Sequence, residues 1–280
     1  MNPIAGIEIP TDWDLFCIEK NVNGETNDVF SCKAMVHDQP IDVHVKVAKS
    51  KRHQLSNEQE ILKALSGKGV PVPSVLCYRD SPVAFLVLKS LPGRMLWDYI
   101  DPRREWYSEG SVLKYLRLYG ECLARIHGLP LQWAHQKRSI LNGLIGEETI
   151  DDNVFKGLVS WLREHLPSER EEVFVHGDLN TANVLFMDGE ISGVVDWEFA
   201  GLGWREYDLA WVLRARRAFL NTEAERQSIL EGYRQHCSFD GDALRWCEVL
   251  NHLHFAYWNR RADPEAVAFS VQRAQATAGL

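Results

Sequence analysis

The stretch VHGDLNTANVLF, residues 175–186, places an aspartate between a glycine and a leucine and an asparagine five positions later. A buried apolar run does not gather so many polar groups in one turn, so the stretch reads as a loop that holds something. The chain continues as MDGEISGVVDWEF. Asp188-Gly189 is a two-residue hairpin signal, with VLF and ISGVVD as the arms. Asn183 stands just before one arm and Asp196 at the end of the other, so folding the hairpin is expected to bring them together. Asp178 lies on the loop entering the first arm, and the three oxygen-bearing side chains are expected to converge.

Asn183 and Asp196 suit magnesium, which prefers hard oxygen ligands and takes one or two carboxylates together with substrate phosphates. Asp178 is then left as a base that orients an incoming hydroxyl. Phosphoryl transfer also needs a lysine on the phosphates. In IDVHVKVA, residues 41–48, Val43, Val45 and Val47 face one way while His44 and Lys46 face the other. Glu58 is available to pair with Lys46, because it shares a helix face with Leu62 and Leu65.

The remaining sequence supplies a frame for these parts. Up to about residue 90, LFCIEK, VFSCKAMV, IDVHVKVA, PVPSVLCYRD and VAFLVLKS read as strands, and SNEQEILKALSGKG as a helix that ends in glycine. LPGRMLWDYI leaves the sheet through a Pro-Gly turn. Beyond it, SVLKYLRLYGECLARIHGL, NVFKGLVSWLREHL, YDLAWVLRARRAFL, AERQSILEGYRQHC and ALRWCEVLNHLHFAYWNRRA carry helical apolar spacing. The expected class is α+β: a small antiparallel-sheet lobe over residues 1–90, a larger helical lobe over 91–280, and a cleft between them.

Composition narrows the function. The chain has 280 residues and a net charge of −8, which disfavours a general nucleic-acid binder, since such proteins meet phosphates with basic patches. The six scattered cysteines form no CxxC pair and read as reduced thiols. The amino terminus does not read as a signal peptide and no apolar run reaches the length of a membrane span, so a cytoplasmic protein is expected.

With those residues in view, the chain resembles the aminoglycoside phosphotransferase and choline kinase superfamily, which has a protein-kinase-like fold. HGDLNTAN resembles that family's catalytic loop, with Gly177 where protein kinases carry arginine; VVDWEFAG resembles its metal-binding strand end and REYDLAWVL the helix that follows. VHVK, NEQEILKAL and LVLKSLPG resemble the lysine strand, the glutamate helix and the hinge. The resemblance implies Asp178 as catalytic base, Asn183 and Asp196 as magnesium ligands, and Lys46 on the nucleotide phosphates, oriented by Glu58. It further implies adenine contacts from the backbone of Lys89 and Leu91, from His44, and from an apolar floor of Leu185 and Val195. His176 and Asp208 would brace the loop. The resemblance also implies phosphate contacts from Thr26 and Asn27 in the loop KNVNGETNDVF, although its single glycine departs from the protein-kinase Gly-rich pattern.

The implied enzyme takes ATP as donor and a small-molecule hydroxyl as acceptor. A protein kinase fits less well, because no phosphorylatable activation segment separates Asp196 from the next helix; a nucleotide-binding pseudoenzyme would have no use for an intact base, lysine and metal ligands. Overall acidity and the aromatic residues Trp197, Trp204, Phe255, Tyr257 and Trp258 point toward a cationic acceptor, either a choline-, ethanolamine- or thiamine-like compound or an aminoglycoside. The acidic run Glu147, Glu148, Asp151 and Asp152 would serve the aminoglycoside reading.

Overall fold

A computed structural model describes residues 7–10, 13–21, 27–36, 39–49, 55–130, 153–168, 171–214, 219–259 and 263–280. In chain order the strands and helices are β1 (Asp14–Lys20), β2 (Asn27–Val36), β3 (Gln39–Ala48), α1 (Leu55–Leu65), β4 (Val75–Arg79), β5 (Phe85–Lys89), β6 (Arg94–Met95), α2 (Trp97–Ile100), α3 (Glu109–His127) and α4 (Asn153–Glu164). There follow β7 (Glu172–Val175), β8 (Val184–Met187), β9 (Glu190–Val194), β10 (Gly201–Trp204), α5 (Arg205–Leu213), α6 (Glu223–Arg234), α7 (Gly241–Asn259) and α8 (Pro264–Ala278). Two compact units result: Met1–Arg94 with Leu185–Phe199, and Met95–Val184 with Ala200–Leu280.

In the first unit, five antiparallel strands lie in the order β1-β2-β3-β5-β4. Period-two alternation builds both faces. Val43 and Val45 are fully buried on one, against Phe30, Cys32, Ala34, Cys77, Phe85 and Val87. His44 and Lys46 lie on the other, across the strand pairing from Leu88 and Leu86. Each fully buried aliphatic side chain of such a core contributes about 1.5–3 kcal/mol.

The expected division at residue 90 differs from these units in two respects: the first unit runs on to Arg94, and residues 185–199 belong with it. The reason is hydrogen bonding. Val194 N donates to Pro71 O (2.8 Å) and Ser192 Oγ to Pro92 O (2.6 Å), tying β9 to the segments after α1 and β5. The β8–β9 turn has positive φ at both central residues, 53° at Asp188 and 80° at Gly189, the backbone that an Asp-Gly hairpin turn requires.

The second unit is mainly helical. Apolar residues at helical spacing bury Phe155, Leu158, Trp161 and Leu162 of α4, and Leu116, Tyr119, Leu123 and Ile126 of α3. β7 pairs antiparallel with β10 from Gly201↔Val175 to Trp204↔Glu172. Thr222 and Glu225 form a reciprocal capping box at the start of α6. The sequence reading did not anticipate α8, although Asp263 caps its first turn, Pro264 opens it and Gly279 closes it at φ 81°. Among the described residues no helix is long and apolar enough to cross a membrane.

Candidate active site

Within the first unit, β3 carries Lys46 and α1 carries Glu58, the first 7% exposed and the second fully buried. The Lys46 ammonium donates to both Glu58 oxygens, at 2.7 and 2.8 Å, and to Asp196 Oδ1 at 2.7 Å. Burial alone would lower the Lys46 pKa; the two carboxylates outweigh it and raise it above the ordinary lysine value. Burial likewise pushes Glu58 upward against the pull of Lys46. With the ammonium this close to both of its oxygens, the arrangement is an ion pair.

Asp196 follows β9 in the left-handed region, φ 66°, a conformation uncommon for a residue with a side chain and concentrated at functional sites. The chain then closes a single 3₁₀ turn, Trp197–Phe199. Trp197 N donates to Glu58 Oε1 (3.3 Å), and its fully buried indole donates to Val194 O (2.9 Å). Asn27, at the start of β2, donates its amide to Glu198 Oε2 (2.8 Å).

The adenine-side candidates are also in this unit. His44 Nδ1 lies 2.9 Å from Ser90 Oγ, and burial first, then Lys46, lowers its pKa. Lys89 N is used by Ser74 O (2.9 Å), so that residue can offer an adenine edge its carbonyl but not its N–H. Leu91, Leu185 and Val195 are partly buried. Thr26 lies outside the described residues.

The catalytic-loop candidates belong to the second unit. The polar residues of the opening stretch satisfy its own turns: Asn180 N donates to Asp178 O (2.8 Å), Ala182 N to Asn180 Oδ1 (2.8 Å), and Asn183 N to Asn180 O (3.0 Å). Asn183 Nδ2 donates to Asp178 O (2.8 Å). Gly177 takes φ 80°, a conformation suited to glycine. Asp208 of α5, fully buried, receives the backbone N–H of His176 (2.8 Å) and of Gly177 (2.9 Å). Tyr119 of α3 donates to Leu179 O (2.6 Å).

Four contacts were not read from the sequence. His127, at the end of α3, lies with Nε2 3.3 Å from Asp208 Oδ2 and Nδ1 2.7 Å from Tyr233 Oη. Burial would raise the Asp208 pKa; the His127 hydrogen bond, the charges of His127 and His176 and the His176 N–H bring it below the ordinary carboxylate value. Trp211 Nε1 donates to Asp178 Oδ1 (2.8 Å). The available signal was spacing: Asp208 and Trp211 are three apart in one helix and so share a face. The Asn27–Glu198 bond, between residues 171 apart, left no such trace.

The aromatic candidates divide. Trp197 is sealed in the core, while the face of Phe255 is covered by the guanidinium of Arg214, 4.0 Å from the ring centroid. Trp204 and Tyr257 are partly buried. The side chain of Trp258 and the run Glu147, Glu148, Asp151 and Asp152 lie outside the described residues.

Asn183 and Asp196 each carry an oxygen of the hard kind that magnesium prefers. The bond from Asn183 Nδ2 commits the amide nitrogen and leaves Oδ1 as the group's acceptor side, a hard oxygen like the Asp196 carboxylate. Among the described residues no group of three or more His, Cys, Asp or Glu side chains is placed to hold a metal.

Comparison with known proteins bears on the family and the fold. Residues 23–247 match the model of the phosphotransferase enzyme family. The chain is 29% identical over 185 residues to acyl-CoA dehydrogenase family member 10 of Mus musculus, covering 57% of this chain and 16% of that protein. It is 28% identical over 193 residues to an aminoglycoside 3'-phosphotransferase of Enterococcus faecalis, covering 62% of this chain and 70% of that protein. Its fold is similar to that of a thermostable mutant of aminoglycoside phosphotransferase APH(4)-Ia in ternary complex with ADP and hygromycin B, with a TM-score of 0.73 at 17% identity, over 95% of this chain and 94% of the other. The fold is therefore kinase-like, an antiparallel-sheet part and a helical part, and the chain belongs to the phosphotransferase enzyme family.

Proposed function

We propose that the chain transfers the γ-phosphate of ATP to a hydroxyl of a small molecule in a magnesium-dependent reaction. The observation that carries this reading is the Lys46 ammonium, buried, charged and bonded to both Glu58 and Asp196. A buried ion pair is weak evidence of stabilisation, since desolvation offsets most of its attraction. A charged lysine beside a carboxylate at a strand end is what nucleotide phosphates and their metal require.

In this reading the first unit binds nucleotide. Lys46, oriented by Glu58, meets the phosphates; Asn27 and Thr26 line the phosphate loop. His44, Leu185 and Val195 pack on adenine, and the Lys89 and Leu91 backbone bonds its edge. Asp196 and Asn183 hold magnesium, which when bound neutralises charge on the phosphates. The second unit supplies the base. The acceptor oxygen attacks the γ-phosphorus, the bond to the β-phosphate oxygen breaks with its electron pair leaving on ADP, and the hydroxyl proton passes to Asp178. His176 and Asp208 keep the loop in shape.

For the acceptor we favour an aminoglycoside or another cationic amino-alcohol. The net charge of −8 attracts cations, and the Enterococcus faecalis relative is named for an aminoglycoside. A choline-, ethanolamine- or thiamine-like acceptor is the alternative. The quaternary-ammonium form of it relies on open aromatic faces, and Phe255 and Trp197 do not offer them. The test is ADP release by the purified chain with magnesium-ATP across a panel of aminoglycosides, amino-alcohols and neutral alcohols. Release with at least one acceptor, abolished in Asp178→Ala, is expected. Failure to bind magnesium-ATP by calorimetry would overturn the reading.

A further inference from the structure

The indole of Trp211 is 8% exposed, and its Nε1–H donates to Asp178 Oδ1 at 2.8 Å. The other carboxylate oxygen, Oδ2, receives longer contacts from Asn180 Nδ2 at 3.3 Å and Asn183 Nδ2 at 3.4 Å. Oδ1 is thus fixed by a bond of ordinary length with a rigid ring.

The ring is itself fixed. Asp208, Trp211 and Arg214 recur at intervals of three, along α5 and just past its end. Asp208 holds the loop backbone at His176 and Gly177. The Arg214 guanidinium lies over the Trp211 ring at 4.3 Å and over the Phe255 ring of α7 at 4.0 Å, so the arginine is stacked against both. One segment thus grips the loop main chain through Asp208 and the carboxylate through Trp211. A buried indole needs some acceptor, and a backbone carbonyl would serve, as Val194 O serves Trp197. Here the acceptor is the side chain of the base.

We propose that Trp211 is a positioning residue for phosphoryl transfer: its bond to Oδ1 locks the rotation of the Asp178 carboxylate toward the acceptor hydroxyl. The assignment rests on the reading of Asp178 as the base. The Arg214 stack holds the indole at the angle this needs. Misplacing a base by an ångström costs on the order of 100-fold in rate, so a rotation of this carboxylate is felt in turnover before it is felt in binding.

The test uses the whole chain with two changes. Trp211→Phe keeps a ring for Arg214 and removes the N–H. With the best acceptor from the ADP-release panel, kcat is expected to fall about 10- to 100-fold while KM for magnesium-ATP and the thermal midpoint stay near the parent values. Unchanged kcat in a folded Trp211→Phe overturns the proposal and leaves the phosphotransferase reading intact. Asp178→Asn in the parent background gives a readout independent of turnover and of the folding of Trp211→Phe. In ¹H–¹⁵N spectra the Trp211 indole resonance, identified by its loss in Trp211→Phe or by selective labelling, is expected to move when the carboxylate becomes an amide. A stationary resonance overturns the proposal even in a chain for which no acceptor is found.

Discussion

The Lys46 ammonium lies 2.7 Å from Asp196 Oδ1, across 150 residues of chain, and 2.7 and 2.8 Å from the oxygens of Glu58. Every N–H of the ammonium thus has a carboxylate oxygen to face. Two of these oxygens come from a helix and one from a strand end, so a single side chain ties α1, β3 and the segment after β9 together.

Lys46→Met is expected to remove nucleotide binding and also to destabilise the fold. Glu58 is fully buried, and removing its cation leaves an acid that must be protonated or move to water. Breaking such a pair from one side costs about 3–5 kcal/mol. The double variant Lys46→Met with Glu58→Leu removes both charges and is expected to recover most of that loss without restoring nucleotide affinity. Chemical denaturation and calorimetry with magnesium-ATP separate the two effects. A double variant no more stable than Lys46→Met would show that the destabilisation does not come from the stranded acid.

Stability is expected to fall on mild acidification. The His44 pKa is lowered from 6.5 in the fold, so below that value the unfolded chain binds a proton that folded His44 refuses. The unfolded state then holds more protons, and stability drops as pH falls through and below about 6.5. Asp208 acts in the same direction further down: its depressed pKa contributes stability above 3.8 that is lost as pH falls through the folded value. Urea denaturation between about pH 8 and pH 5 checks the first window, with His44→Gln expected to flatten the slope there. An unaltered slope in His44→Gln would assign the loss to other groups.

Tyr233→Phe is expected to loosen the catalytic loop from a distance. The change strips His127 Nδ1 of its 2.7 Å partner inside a buried network that ends on Asp208 and, through it, on the His176 and Gly177 amides. Leaving a buried nitrogen unsatisfied costs about 1–3 kcal/mol. Amide exchange read residue by residue is expected to accelerate at His176 and Gly177 by more than at the β2–β3 ladder. Equal acceleration everywhere would mean a global loss of stability and no specific brace.

These elements differ in how far the sequence revealed them, and the difference is physical. Val43, His44, Val45 and Lys46 alternate because β3 alternates, and the Asp188-Gly189 turn follows from a backbone few residue pairs adopt; such local rules can be read directly. α8 was hidden because Ala266, Ser270, Ala274 and Ala278, its buried residues, are small and leave a weak apolar rhythm. The β7–β10 pair joins two four-residue strands, one of them GLGW, with no local signal for each other. For the candidate site, the residues proposed for the chemistry were legible through their motif. Their holders, Trp211 for Asp178 and Tyr233 and His127 for Asp208, act through tertiary contacts that no sequence interval encodes, apart from the shared face of Asp208 and Trp211.

The crossing of α3 and α6 gives the sharpest stability prediction. A Cβ placed on Gly120 would strike the backbone carbonyl of Ile229, and one on Gly232 would strike that of Arg117. The two contacts are reciprocal: each helix presents a glycine to the other's main chain, so the axes approach more closely than side chains would allow. By intrinsic propensity, Gly→Ala within a helix is favourable by roughly 0.5–1 kcal/mol. Overpacking costs about 1–3 kcal/mol and more where the obstacle is backbone, which cannot rotate away. The steric effect therefore wins, and Gly120→Ala and Gly232→Ala are each expected to lower stability by about 2–3 kcal/mol net. The double variant is expected to lose less than the sum, because once the helices have separated for one methyl group the second finds room. Gly110→Ala, at an open position near the start of α3, is the control and is expected to be neutral or slightly stabilising. Equilibrium denaturation of the four variants decides the matter: Gly120→Ala as stable as Gly110→Ala would mean that the crossing is not set by these glycines.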